Sequence, residues 1–284
     1  MTDTLRAALW MIGAIVSFTS MAIAGRAVSF ELDTFEIMLF RSLTGIVIVL
    51  GVARLAGTLG QVNRQQLGLH GVRNLAHFTG QNLWFYALTV IPLAQVFALE
   101  FTTPIWVILL SPLLLRERIT AIGALAAALG FAGVMIVTQP GQTAISPGTI
   151  AAATAAIGFA LTAIFTRRLT RTQTITCILF WLTIMQAVLG LVAAGFDGDI
   201  ALPSAASVPW LILIGCAGLL AHFCLTTALS LAPASIVMPI DFIRLPVIAI
   251  VAAQVYDEPL QWAVFAGAAL IFGANYLNIR FANR

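Results

Sequence analysis

The sequence predicts an all-α polytopic membrane protein whose ten transmembrane helices form two inverted five-helix repeats. Three observations carry that prediction: scarce charge, a succession of bilayer-length apolar runs, and a match of the chain to itself at one offset. Of 284 residues, 61% are hydrophobic and only 9% are charged, against about 25% charged in soluble domains. A folded chain so poor in charge would leave large apolar patches in water, which excludes a soluble enzyme and a disordered chain. The formal charge of +3 does not bring back a nucleic-acid partner, because the 14 basic residues, all arginine, are scattered and form no basic stripe. That arginine bias fits a GC-rich bacterial genome. Cys177, Cys216 and Cys224 sit inside apolar runs without metal or redox spacing and read as small buried hydrophobes.

A helix needs about 20 apolar residues to cross roughly 30 Å of hydrocarbon, and ten runs qualify. The first, 5–25, includes Ala22-Ile23-Ala24, which looks like a signal-peptide cleavage site. The apolar run before it is too long for an h-region, so we read it as a span. Glu31-Leu32-Asp33 precedes 35–55, and a polar stretch from Gly57 to Gln66 precedes 67–88. Pro92 can open 93–115, since the first helical residue needs no N–H. Arg116-Glu117-Arg118 separates that run from 119–137. After a linker at 139–147 come 148–165, 175–194, 208–229, 234–256 (opened by Pro233) and 262–279. A β-barrel would show segments of about ten residues with alternating polarity, and none is seen.

Shifting the chain by 141 residues superimposes its halves. Pro92 falls on Pro233, Glu100-Phe101 on Asp241-Phe242, Glu117 on Glu258, and Phe18 and Arg26 on Phe159 and Arg167. Five spans per unit is an odd number, so the second unit enters the membrane upside down. Charge tests this, because arginine collects in cytoplasmic loops. With the N-terminus inside, the inner segments hold Arg6, Arg54, Arg64, Arg116, Arg118, Arg167, Arg168, Arg171, Arg280 and Arg284. The outer loops hold Arg26 with Glu31, Asp33, Asp197, Asp199, Asp257 and Glu258. The predicted units are therefore 1–138 and 148–284, in a bacterial cytoplasmic membrane with both termini cytoplasmic. Inverted repeats meeting at mid-membrane are an architecture of secondary transporters.

The stretch from Ala98 to Val137, with Thr103-Pro104-Ile105, Ser111-Pro112-Leu113-Leu114-Leu115, Arg116-Glu117-Arg118-Ile119-Thr120 and Gly130 to Gly133, resembles the EamA-type repeat of the drug/metabolite transporter superfamily. Arg244-Leu245-Pro246, Glu258-Pro259 and Gly273 to Tyr276 form a looser second copy, departing from the pattern where Tyr256-Asp257 replaces an apolar/basic pair. The resemblance implies ten helices with inverted pseudo-symmetry. It implies cargo among amino acids, nucleotide-linked metabolites, vitamins such as riboflavin, S-adenosylmethionine, sugars or toxic amphiphiles.

Ionisable side chains inside a bilayer are costly and turn inward, so each is informative. His70, Asn74, His77 and Gln81 recur at helical spacing on one face of the third run, flanked by Arg73 and Trp84. Such a face lines a cavity or glues helices through hydrogen bonds. Glu100 stands four residues before Pro104 without a basic partner in its own run; Arg41 or Arg73 could neutralise it. Asp241 and Arg244, three residues apart, can pair on one face. Asn82, His222 and Asn275 are single polar residues suited to structural hydrogen bonds, and Glu117 and Glu258 to helix ends.

The expected substrate-binding set is Arg41, Arg73, Asn74, His77, Gln81, Trp84, Glu100, His222, Asp241 and Arg244, with Glu100 and His77 as proton-coupling candidates beside exchange or facilitated diffusion. Mixed charge and the indole of Trp84 suit a small polar or zwitterionic metabolite. No cofactor, metal or ATP-binding motif is found. An intramembrane enzyme and an exporter of toxic amphiphiles are the competing readings. Monomer and homodimer both stay open.

Overall fold

A computed structural model describes residues 2–116, 120–139, 146–196, 198–257 and 262–281; every regular element among them is helical. Glu117, Arg118, Asp197, Glu258, Arg284 and most of the 139–147 linker lie outside the described residues, as do the side chains of Pro246 and Asn275. Helix α1 runs Asp3–Val28, started by the Thr2 hydroxyl, which accepts from the Leu5 amide. Helix α2, Thr34–Leu55, begins with a reciprocal capping box between Asp33 and Glu36. Helix α3 is Leu67–Val90. Helix α6, Ala121–Thr138, and α7, Pro147–Leu169, are capped by Thr120 and Ser146. Helix α8, Ile175–Ala194, is capped by Thr174. Helix α9 is Val208–Leu231 and α12 is Trp262–Phe281.

Two of the expected spans are interrupted. The 93–115 run divides into α4, Leu93–Glu100, and α5, Thr103–Leu114. Pro104 has no N–H for the Glu100 carbonyl, so the ladder stops there. The 234–256 run divides into α10, Ala234–Ile240, a 3-10 turn at Asp241–Ile243, and α11, Arg244–Tyr256. In both runs the break falls beside the acid.

Among the described residues, six segments are long and apolar enough to cross a membrane: Asp3–Val28, Thr34–Leu55, Gln95–Leu114 across the α4–α5 break, Pro147–Leu169, Ile175–Ala194 and Val208–Leu231. Their exteriors are apolar in the way a lipid environment demands. On α1, Leu5, Leu9, Ile12 and Val16 form a stripe at helical spacing, each at least half exposed, while Ala7, Met11 and Ala14 on the other face are fully buried.

Helices meet in pairs: α1 on α9, α3 on α7, α2 on α8, and α6 on α12, with α4 and α5 also against α7. Small residues permit these contacts, since lipid supplies no hydrophobic drive for helix association and close backbone approach must replace it. Helix α7 buries Ala152, Ala155, Ala156, Ala160 and Ala163. At its crossing with α3, a methyl added to Gly158 would stand 2.9 Å from both the Ala76 carbonyl oxygen and the Gly80 Cα.

Loops tie the ends. Before α9, Ser204 donates to the Glu31 carboxylate through its amide (2.5 Å) and its hydroxyl (2.9 Å), and Ser207 donates through its hydroxyl. These bonds, that from Ser207 foremost, hold the Glu31 pKa below the usual carboxylate range. At the opposite end of α8, the Trp181 indole donates to the Asn63 carbonyl at 2.8 Å.

Gly158→Ala is expected to destabilise the protein by about 1–3 kcal/mol through overpacking. Gly51→Ala, where nothing lies within 4 Å, should leave stability unchanged or raise it by up to about 1 kcal/mol. Thermal unfolding of the two variants in detergent checks the contrast.

Candidate functional site

The interruption of α4–α5 and of α10–α11 leaves Glu100, Asp241 and Arg244 at helix ends facing one another. Arg244 Nη2 lies 2.5 Å from Glu100 Oε1 and 2.5 Å from Asp241 Oδ2, and Nε donates to Asp241 Oδ1 at 3.1 Å. The Trp84 indole N–H donates to Glu100 Oε2 at 2.6 Å. All four side chains are buried. The guanidinium carbon stands 5.0–5.3 Å from the ring centres of Phe18, Phe97 and Phe101, within the range of cation–π attraction. Such a screened setting makes every charge interaction stronger than in water, and leaving any member unpaired correspondingly costly.

The group borders a cavity with Met21, His77, Gln81, Phe159 and His222 among its other walls. His77 and His222 meet edge to face, ring centres 4.6 Å apart. Both nitrogens of His77, Nδ1 of His222 and Oε1 of Gln81 are buried and without a hydrogen-bond partner among the described residues. The Gln81 amide reaches only the Met21 sulfur, at 3.7 Å. Buried polar atoms are ordinarily satisfied, and the residues that carry these line the cavity, where they can hydrogen-bond a polar molecule. The chemistry on offer is two carboxylates around one cation, neutral or protonatable imidazoles, an amide and aromatic walls. That is binding chemistry for a small polar molecule.

The expected site residues thus divide. His77, Gln81, Trp84, Glu100, His222, Asp241 and Arg244 line one cavity. Arg73 and Asn74 do not. Arg73 donates to Thr166 Oγ1 at 3.1 Å and to Asn74 Oδ1 at 2.9 Å, and Asn74 donates to the Trp181 carbonyl at 3.3 Å, so the two stitch α3 to α7 and α8. The polar face of α3 is therefore glue near its start and cavity wall further along. Arg41 lines a separate pocket with Gln186 and Thr183.

The expectation that Arg41 or Arg73 neutralises Glu100 is corrected: Arg244 does so, reaching across from the other half of the chain. Sequence reasoning also missed the rings of Phe18, Phe97, Phe101 and Phe159. Phe97 and Phe101 flank Glu100 at helical spacing, a legible signal, whereas Phe18 and Phe159 are marked in sequence only by falling on each other in the 141-residue repeat. Asn82 donates to the Phe78 carbonyl within its own helix at 2.8 Å.

The sequence pattern described as the EamA-like transporter family matches the chain twice, over 5–139 and 146–280. A riboflavin transporter of Brucella anthropi is 33% identical over 217 residues, covering 75% of this chain and 76% of that one. An S-adenosylmethionine uptake transporter of Rickettsia felis is 25% identical over 96% of this chain and 94% of its own. A riboflavin transporter of Vibrio cholerae is 27% identical over 94% of this chain and 90% of its own. A solved crystal structure shares the fold at a TM-score of 0.78 and 17% identity, covering 98% of this chain and 97% of that one.

Arg244→Met should leave two buried carboxylates facing each other without a cation and lower stability by about 3–5 kcal/mol. Adding Glu100→Gln and Asp241→Asn removes the stranded charges and should recover most of that loss. Melting of the single and triple variants in detergent measures it.

Proposed function

The chain belongs to the EamA-like transporter family, and from that premise we propose how it carries its cargo. It is a multi-pass membrane protein and a transporter of small metabolites; the family and its named relatives are transporters, not enzymes. The proposed mechanism is alternating access: units 1–138 and 148–284, joined by 139–147, rock about a shared central cavity. In this reading each unit contributes five spans, ten in all, and the second lies inverted. Helix α1 packs on α9 while α7, its counterpart in the second unit, packs on α3. That exchange of equivalent contacts supports the inversion. The arginine-rich loops support cytoplasmic termini, and the bacterial relatives support the inner membrane.

The observation that carries the site assignment is the group of Glu100, Asp241 and Arg244, one acid from each unit on a single guanidinium. With both acids ionised the group bears one net negative charge. In the proposed cycle a proton and a cationic or hydrogen-bond-donating part of the substrate neutralise it in turn, which couples the two. Trp84 orients Glu100, and His77, Gln81 and His222 supply the remaining polar contacts. Arg41, Arg73 and Asn74 act from beside this cavity. Riboflavin and S-adenosylmethionine, named for the relatives, are the first substrates to test.

Glu100→Gln is expected to abolish accumulation of labelled substrate in right-side-out vesicles, or to make the residual rate independent of pH, with membrane expression unchanged. Wild-type rates across the pH range in that variant contradict the assignment.

A further inference from the structure

Outside the cavity that holds the acids, the interior contains a guanidinium with no carboxylate partner among the described residues. Arg41 lies about two turns into α2 and is 7% exposed. Its Nη1 donates to the Met38 sulfur at 3.6 Å. Among the described residues no carboxylate lies within ion-pair distance of Arg41 or of Arg73, which is 1% exposed. A buried cation without a counter-charge is among the most unfavourable arrangements in a protein, and a fork of five N–H donors suits an oxyanion above other partners.

A small pocket lies beside this guanidinium, lined also by Gln186, Thr183 and Gly215. On α9 a methyl at Gly218 would stand 2.9 Å from Arg41 Nη2, so that position must lack a side chain for the guanidinium to lie where it does. Gln186 links the two arginines: it lines the pocket beside Arg41, and its amide donates to the Asn74 carbonyl at 2.8 Å, next to the Asn74 oxygen that Arg73 holds. Gln186 is 2% exposed and its Oε1 is without a hydrogen-bond partner among the described residues.

We propose that the pocket between α2, α8 and α9, with Arg41 and Gln186 at its wall and Arg73 reinforcing its charge, is a second binding subsite that takes an oxyanion, the carboxylate or phosphate of an organic molecule or free inorganic phosphate. The pocket and the acidic cavity then form two poles of opposite charge. In this arrangement a zwitterionic cargo spans them, cationic part toward Glu100 and anionic part toward Arg41; this last step rests on the transport reading above.

The test is equilibrium binding of radiolabelled inorganic phosphate to the purified full-length protein in detergent at constant ionic strength. Saturable binding by the wild type is expected, weakened at least tenfold in Arg41→Gln and retained in Glu100→Gln. Arg41→Lys, which keeps the charge but loses the fork, should bind with intermediate strength and covers the case in which Arg41→Gln does not fold. Absence of saturable binding by the wild type, or equal binding by Arg41→Gln or Arg41→Lys and wild type, overturns the proposal. Phosphate displaced by S-adenosylmethionine, which has a carboxylate, and not by riboflavin, which has none, assigns the oxyanion to cargo; displacement by neither assigns the subsite to free phosphate. Binding retained in a protein that transports nothing keeps the subsite and overturns only the transport reading.

Discussion

One guanidinium shared by two carboxylates is the interaction on which the interior of this protein depends. Arg244 lies 2.5 Å from Glu100 and 2.5 Å from Asp241, and neither acid has another cation within ion-pair distance among the described residues. In a medium of low dielectric, separating these groups would strand charges that lipid cannot solvate. The rest of the core is arranged around that necessity. Three phenylalanine rings pack on the cation, the Trp84 indole donates to the other oxygen of Glu100, and both helices that carry acids are broken where the acids sit. The arrangement holds two carboxyl groups to one guanidinium, so it is tightly bound and, with both acids ionised, short of neutral. A binding site needs that combination of rigidity and unsatisfied charge.

The apolar body positions these groups without itself discriminating anything. Many large aliphatic side chains face outward, while alanines and glycines such as Ala155, Ala156 and Gly158 sit where helices touch. With hydrocarbon outside, van der Waals fit between close backbones holds the helices together. The approach of Gly158 to Ala76 and Gly80 brings α3 and α7 near enough for Arg73 to bond Thr166. That seam in turn sets the angle at which His77, Gln81 and Trp84 enter the cavity.

Much of this was legible in the sequence, for physical reasons that can be named. Scarce charge dictates lipid, and caps such as Asp33 with Glu36 mark helix starts because orphan N–H groups must be met locally. The pairing of Asp241 with Arg244 follows from their separation of one helical turn. The partner of Glu100 was not legible, since Arg244 is 144 residues away and no local rule selects it over Arg41 or Arg73. The polar stripe on α3 was legible as a stripe but not as two regions with different work, because periodicity shows that residues share a face and is silent about what that face meets. Helix breaks at Phe101-Thr102 and at the Asp241–Ile243 turn were hidden for a related reason: apolar composition continues across them, and only Pro104 and Pro246 hint at the interruption.

The central claim is that the cavity around Arg244 is one compartment reached in turn from each side of the membrane. Thr103, buried in its wall, provides the most direct measurement: Thr103→Cys in a chain whose Cys177, Cys216 and Cys224 are replaced by alanine, exposed to a membrane-impermeant thiol reagent in right-side-out and in inverted vesicles. The account predicts labelling in both vesicle types, slowed in each by the transported metabolite. Labelling from neither side, or from one side only whatever metabolite is added, contradicts it.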